Sequence, residues 1–233
     1  NSERTGLCLS RLWHKRKSLK TINNPIPASG SLPDDYQEAL YWSVTEKPKR
    51  VAVMNVLGVF LFFIFGLIFS NVAVGLGKLP LEGGINFGLR EMIFVLIGIM
   101  FTLALHELMH GLTMRLFGAS PKYGIIWKGM MLYATSPGYA YPRNNYVIIA
   151  LAPFILISIL VVLGMLGLQG TLWVALLGIC GVINASGAIG DMWITAIVLR
   201  YPAAAYVMDE RDGVRVFSLA PPARAGVSDR RVS

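Results

Sequence analysis

Four long apolar stretches constrain this chain more than anything else in it. They run from Val51 to Leu76, from about Met92 to Met114, from Tyr146 to Leu168 and from Leu172 to Leu199. Each exceeds the ~20 residues that a helix needs to cross about 30 Å of hydrocarbon. The first and third carry no charge and show no polar face, which argues against buried helices of a soluble bundle. The second holds His106, Glu107 and His110, and the fourth holds Asp191. Composition points the same way: 15% of the residues are charged, against roughly 25% in soluble domains. A disordered protein, a disulfide scaffold and an ordinary soluble enzyme are excluded. The expected fold class is an all-α membrane protein: a four-transmembrane-helix bundle with a short cytosolic-face β or irregular segment between helices 2 and 3.

The basic residues set the orientation. Nine Lys and Arg precede Val51, four lie between the second and third runs, and six follow from Arg200 onward. The other two connections hold only Lys78 and Arg90. Cytosolic loops carry the excess of Lys and Arg, so an even number of spans with both termini cytosolic fits without conflict. The expected domains are a basic cytosolic tail and linker (1–50), a membrane-embedded region (51–200) and a cytosolic C-terminal tail (201–233), partly disordered after Pro221 and Pro222. The net charge of +8 sits outside the apolar runs, so topology and anionic lipid explain it better than nucleic acid does. Arg11 to Lys20 can lie on anionic headgroups or simply be a solvated charge run. Pro25, Pro27, Gly30 and Pro33 read as a linker, and Tyr41 and Trp42 as an interface anchor. Cys8 and Cys180 lie in a polar tail and an apolar run, so no disulfide is expected. No secretory signal is visible. The first residue is Asn, which fits a fragment or a removed initiator.

The strongest chemical signal is His106-Glu-Leu-Met-His110. On a helix, residues four apart share a face, so both imidazoles can bind one Zn²⁺ while Glu107 acts as general base on water. By average residue usage a chance match is on the order of one per cent. A pair of satisfied core histidines leaves Glu107 without a purpose in hydrocarbon, where charges are costly. A catalytic zinc takes three protein ligands and keeps one position open. Asp191 is the only other acid within the runs. It lies nine residues before Arg200, as His106 lies nine before Arg115. Both therefore sit ~13 Å from the cytosolic end of their helices at ~1.5 Å per residue. A hydrogen-bonding acid or a proton relay is the alternative role for Asp191. Asn184, two helical turns earlier, is placed to bind substrate backbone, to orient the site, or to hydrogen-bond between helices. The small residues around it, Gly178 to Gly190, allow the fourth run to pack closely on the second. Pro153 predicts a kink in the third.

With these residues the sequence resembles the site-2 protease class of intramembrane zinc metallopeptidases, and more closely a group of small zincin-type membrane peptidases. The resemblance spans about residues 51–200. It implies a membrane helix with His-Glu-x-x-His, a membrane-associated strand region, and a later helix supplying an Asp ligand. His106, Glu107, His110 and Asp191 match those roles. Site-2 proteases usually show Asn, a Pro, then Asp-Gly; here Asn184 and Asp191 stand without that Pro or Gly, and one residue closer together. The implied activity is zinc-assisted hydrolysis of membrane-protein or peptide substrates near the cytosolic face, in a multi-pass protein of a prokaryotic plasma membrane. The sequence leaves the oligomeric state open. Two other readings stand beside it: a membrane zincin with a Glu third ligand, for which Glu210 is the candidate, and a non-enzymatic metal-binding membrane protein. Finally, Gly118 to Asn145 is rich in aromatic and β-favouring residues broken by glycines. It predicts short strands close to the zinc. An unwound substrate can add to their open edge, at Ile125 and Ile126 in this reading, unless the stretch is only an amphipathic cap.

Overall fold

The structure is a computed structural model that describes residues 30–79, 88–126 and 131–219. The basic segment Arg11 to Lys20, Cys8, Pro25, Pro27, Pro221 and Pro222 lie outside the described residues.

Eleven elements follow one another: β1 (Tyr36–Ser43), α1 (Pro48–Gly75), α2 (Leu89–Leu116), β2 (Lys122–Ile126), β3 (Met131–Thr135), β4 (Ala140–Pro142), α3 (Arg143–Gly167), α4 (Trp173–Gly187), α5 (Ile189–Val198), β5 (Tyr206–Glu210) and β6 (Gly213–Leu219). Helix starts follow local chemistry. Pro48 opens α1, where its missing N–H costs nothing. Glu91 reaches back to the Gly88 N–H at 3.1 Å ahead of α2, as in a capping box. Four helical stretches, Pro48–Gly75, Leu89–Leu116, Arg143–Gly167 and Trp173–Val198, are long and apolar enough to cross a membrane.

The fold is not all-α. A four-stranded antiparallel sheet runs in the order β1-β6-β5-β4, and a separate β2-β3 hairpin lies over the end of α2. The sheet draws strands from both tails and from the segment before α3. Alternation marks them locally, as in Val214-Arg215-Val216 with both valines buried, yet their partners are far apart in sequence. Trp42 is accordingly no membrane-interface anchor: it is buried in β1, in a core shared with Tyr141, Tyr146, Ile149, Val207 and Val216. Arg50 lies over its ring. Gly213 permits the close approach of β1 to β6, because a Cβ there would collide with the Trp42 carbonyl oxygen.

The fourth apolar run is not one helix. It breaks at Ala188, with φ −70° and ψ 8°, between α4 and α5. Helix α4 is central and packs against α1, α2 and α3. Small residues make this possible. Gly181 receives the Phe69 ring of α1, and Gly98 of α2 sits against Leu176 and Cys180. The close approach expected of the fourth run on the second thus comes as much from a glycine on α2, and Gly181 serves α1 instead. By contrast, the outward faces of α1 and α2 expose Val56, Phe63, Leu67 and Phe101 by about two thirds of their surface. Helices α1 and α2 diverge, leaving a cleft of about 1060 Å³ lined by both and by α4 and α5.

Candidate metal centre

His106 and His110 lie on α2, one turn apart, and Asp191 lies in the first turn of α5. The helix break at Ala188 turns the α5 N-terminus toward α2, where the helix dipole favours a carboxylate. His106 Nε2 stands 3.1 Å from Asp191 Oδ2, and His110 Nε2 stands 3.4 Å from Asp191 Oδ1. One ligand atom from each residue lies within 4.8 Å of the other two.

The other ring nitrogens decide what these atoms can do. The Asn184 amide nitrogen faces the carbonyl oxygens of Pro153 and Phe154 at 3.4 and 3.5 Å. Carbonyls only accept, so the amide must point its nitrogen there and its oxygen toward His106. That oxygen is 3.0 Å from His106 Nδ1, which must therefore carry the proton. His110 Nδ1 is 3.0 Å from the Ile149 carbonyl, and by the same logic it also carries the proton. In its neutral form each imidazole then presents an unprotonated Nε2 toward the Asp191 carboxylate. Two imidazoles and a carboxylate converging on one point could hold a metal ion. The donor set fits zinc.

Pro153 accounts for the second of these anchors. A residue at position 153 would normally donate its N–H to the carbonyl four residues back, which is Ile149. Proline has no N–H, so the Ile149 carbonyl is released to His110. The Pro153 and Phe154 carbonyls also lie in reach of Asn184. Pro153 thus bears on both histidine rings, on His110 through the Ile149 carbonyl and on His106 through Asn184. The proline signal was in the sequence, but the partner of the released carbonyl lies 39 residues away.

Glu107 lies beside the cluster. It lines both the cleft and a smaller cavity of about 170 Å³ under the sheet, together with Asp191. Its carboxylate faces the Ala134 backbone of β3. Leu132 of β3 lines both cavities, whereas Ile125 of β2 lines neither and is exposed. The strand facing the site is therefore β3, and the edge expected at Ile125 and Ile126 is on the far side of the hairpin. Gly111 lets the hairpin settle on α2, since a Cβ there would strike the Tyr123 hydroxyl.

Three residues near the site were not singled out as site residues from the sequence. Asp209 of β5 lines the smaller cavity and accepts a 2.7 Å hydrogen bond from the Tyr146 hydroxyl. Burial pushes its carboxyl up to about 7, against the opposing pull of those hydrogen bonds. Arg211 and Asp212, the two-residue turn between β5 and β6, line both cavities. The Glu210 carboxylate, the candidate for a Glu third ligand, is held by Arg215 at 2.7 Å.

Residues 99–206 match the model of a family described as "Putative zincin peptidase". The match covers just under half of the protein and contains both histidines, Glu107, Asn184 and Asp191. No curated protein and no solved structure matches the sequence. The similarity supports a zincin-like peptidase family for the region that holds the candidate centre, and with it metallopeptidase activity and a zinc requirement.

Proposed function

We propose that this protein is a membrane-embedded zinc metallopeptidase that cleaves membrane-protein segments near the cytosolic face. One observation carries the reading: the Nδ1 atoms of His106 and His110 are engaged by Asn184 and the Ile149 carbonyl, which turns both Nε2 atoms and Asp191 onto one point in a cleft beside Glu107.

In this reading His106, His110 and Asp191 hold the metal. Zinc bound there supplies a Lewis acid that polarises the scissile carbonyl and brings the pKa of water toward ~7. Glu107 takes the proton of the attacking water and passes it to the leaving amine. Asn184 keeps His106 in the tautomer that binds metal. Water reaches the site through the cleft and the cavity beneath the sheet. A substrate must present an extended backbone, because a helix hides its carbonyls in its own hydrogen bonds. The outer edge of β3 at Leu132 and Ala134 is where such a backbone can pair.

A Glu third ligand is disfavoured by the pairing of Glu210 with Arg215. A metal carrier is disfavoured because the strong ligands meet at one point and are not spread along a path. The test is zinc quantification alongside hydrolysis of a membrane-segment peptide. Wild type should hold about one zinc per protein molecule; Glu107→Gln should keep the metal and lose turnover. If Glu107→Gln hydrolyses the peptide like wild type, the peptidase mechanism is wrong.

A further inference from the structure

The turn between β5 and β6 is pinned over the cleft. The Val44 N–H bonds to the Asp212 carbonyl at 2.9 Å. The Ser43 hydroxyl reaches the Asp212 carboxylate at 2.7 Å, and the Thr45 hydroxyl joins it. On the other flank Glu210 is committed to Arg215. The two acids beside Arg211 are therefore engaged elsewhere. Among the described residues Arg211 makes no ion pair. Its guanidinium lies over the Tyr133 ring of β3, 5.0 Å from the centroid. It is also the only Lys or Arg among the described residues lining either the cleft or the smaller cavity, in company with Glu107, Asp191 and Asp212.

A guanidinium stacked on an aromatic ring keeps its planar edge of N–H donors available, and that edge matches a carboxylate bidentately. Here the edge is presented from a rigid turn, over the strand whose outer edge faces the metal centre.

We propose that Arg211 is a specificity-determining residue that pairs with a substrate carboxylate on the cytosolic flank of the scissile segment. This rests on the peptidase reading and adds the substrate feature to it. The carboxylate can belong to an Asp or Glu side chain or to the free C-terminus of the substrate.

The test measures binding, so that it does not depend on turnover. The protein is zinc-loaded Glu107→Gln in neutral detergent. The probes are three synthetic membrane-segment peptides with an identical Leu/Ala/Gly core. One carries Asp in its cytosolic flank and an amidated C-terminus; one carries Asn and is amidated; one carries Asn and a free C-terminal carboxylate. The Asp or the free-carboxylate peptide, or both, should bind about fivefold to tenfold tighter than the neutral one, as expected for a partly exposed charge-assisted pair. Adding Arg211→Gln should abolish that difference at unchanged zinc content, and Arg211→Glu should shift the preference to a Lys-flanked peptide. Equal affinities for all three peptides, or a preference that survives Arg211→Gln, overturn the proposal. So does a preference that vanishes in phosphatidylglycerol nanodiscs and persists in phosphatidylcholine, which assigns the guanidinium to the net-anionic lipid headgroup. If the binding preference stands but wild type hydrolyses none of the peptides, Arg211 keeps its role and the peptidase reading fails.

Discussion

Replacing Asn184 separates metal orientation from helix packing. Asn184 is 1% exposed and serves two sets of partners at once. Its oxygen accepts a hydrogen bond from His106 Nδ1 at 3.0 Å, and its nitrogen donates to the Pro153 and Phe154 carbonyls at 3.4 and 3.5 Å. Asn184→Leu removes both sets at similar volume. The His106 ring is then free to rotate or change tautomer, and loss of such an outer partner weakens metal binding ~10- to 100-fold, about 1.4–2.7 kcal/mol. The carbonyl bonds are long, so their loss adds only about 0.5–1 kcal/mol to the cost in folding. Asn184→Asp keeps an acceptor for His106 but no donor for the carbonyls. It should therefore bind zinc at least as tightly as wild type while losing stability in the α3–α4 packing. Competition with a chelator of known affinity gives the zinc Kd, and the Co²⁺ absorption spectrum reports the coordination geometry. A zinc Kd for Asn184→Leu within twofold of wild type would refute the claim that this amide orients His106.

Other outcomes follow from the same geometry. Asp191→Ala should lose most of the zinc; full occupancy by elemental analysis would send the search for a third ligand elsewhere. Leu132→Pro should impair peptide turnover at unchanged zinc content, because it puts a ring and no N–H at the β3 edge, whereas Ile125→Pro should matter less; the reverse ranking would return the substrate to β2. In the metal-free protein, Asp209 binds a proton in the folded state that the unfolded state releases near pH 3.9. Stability should therefore fall as pH rises from about 4 through the folded value of about 7. The full shift corresponds to about 4 kcal/mol, which the open cavity and the residue's partial exposure cut to about 2. Asp209→Asn should flatten the curve in thermal unfolding, and an unchanged slope would argue against a protonated Asp209. In a Cys8→Ser background, Lys122→Cys should label from the cytosolic side and Leu89→Cys from the other; labelling in the opposite sense would invert the topology.

Four apolar runs and one His-Glu-x-x-His pattern determined most of what can be said of this protein, because both signals are local. A helix long enough for hydrocarbon is a matter of composition over ~20 residues, and two histidines four apart share a face wherever the helix sits. Even Asp191 was legible, through its equal depth to His106 below a basic boundary. The sheet was not. Its strands come from Tyr36, Ala140 and the stretch after Tyr206, and short half-buried strands gain their identity from partners that the local sequence does not name. The same distance hid the dual role of Pro153, whose released carbonyl matters only because His110 lies opposite it. It hid the break at Ala188 as well, since a run of small apolar residues reads equally as one helix or two. Only the tertiary structure brought the β5–β6 turn over the cleft, and with it the one Lys or Arg among the described residues that lines the cleft and the smaller cavity.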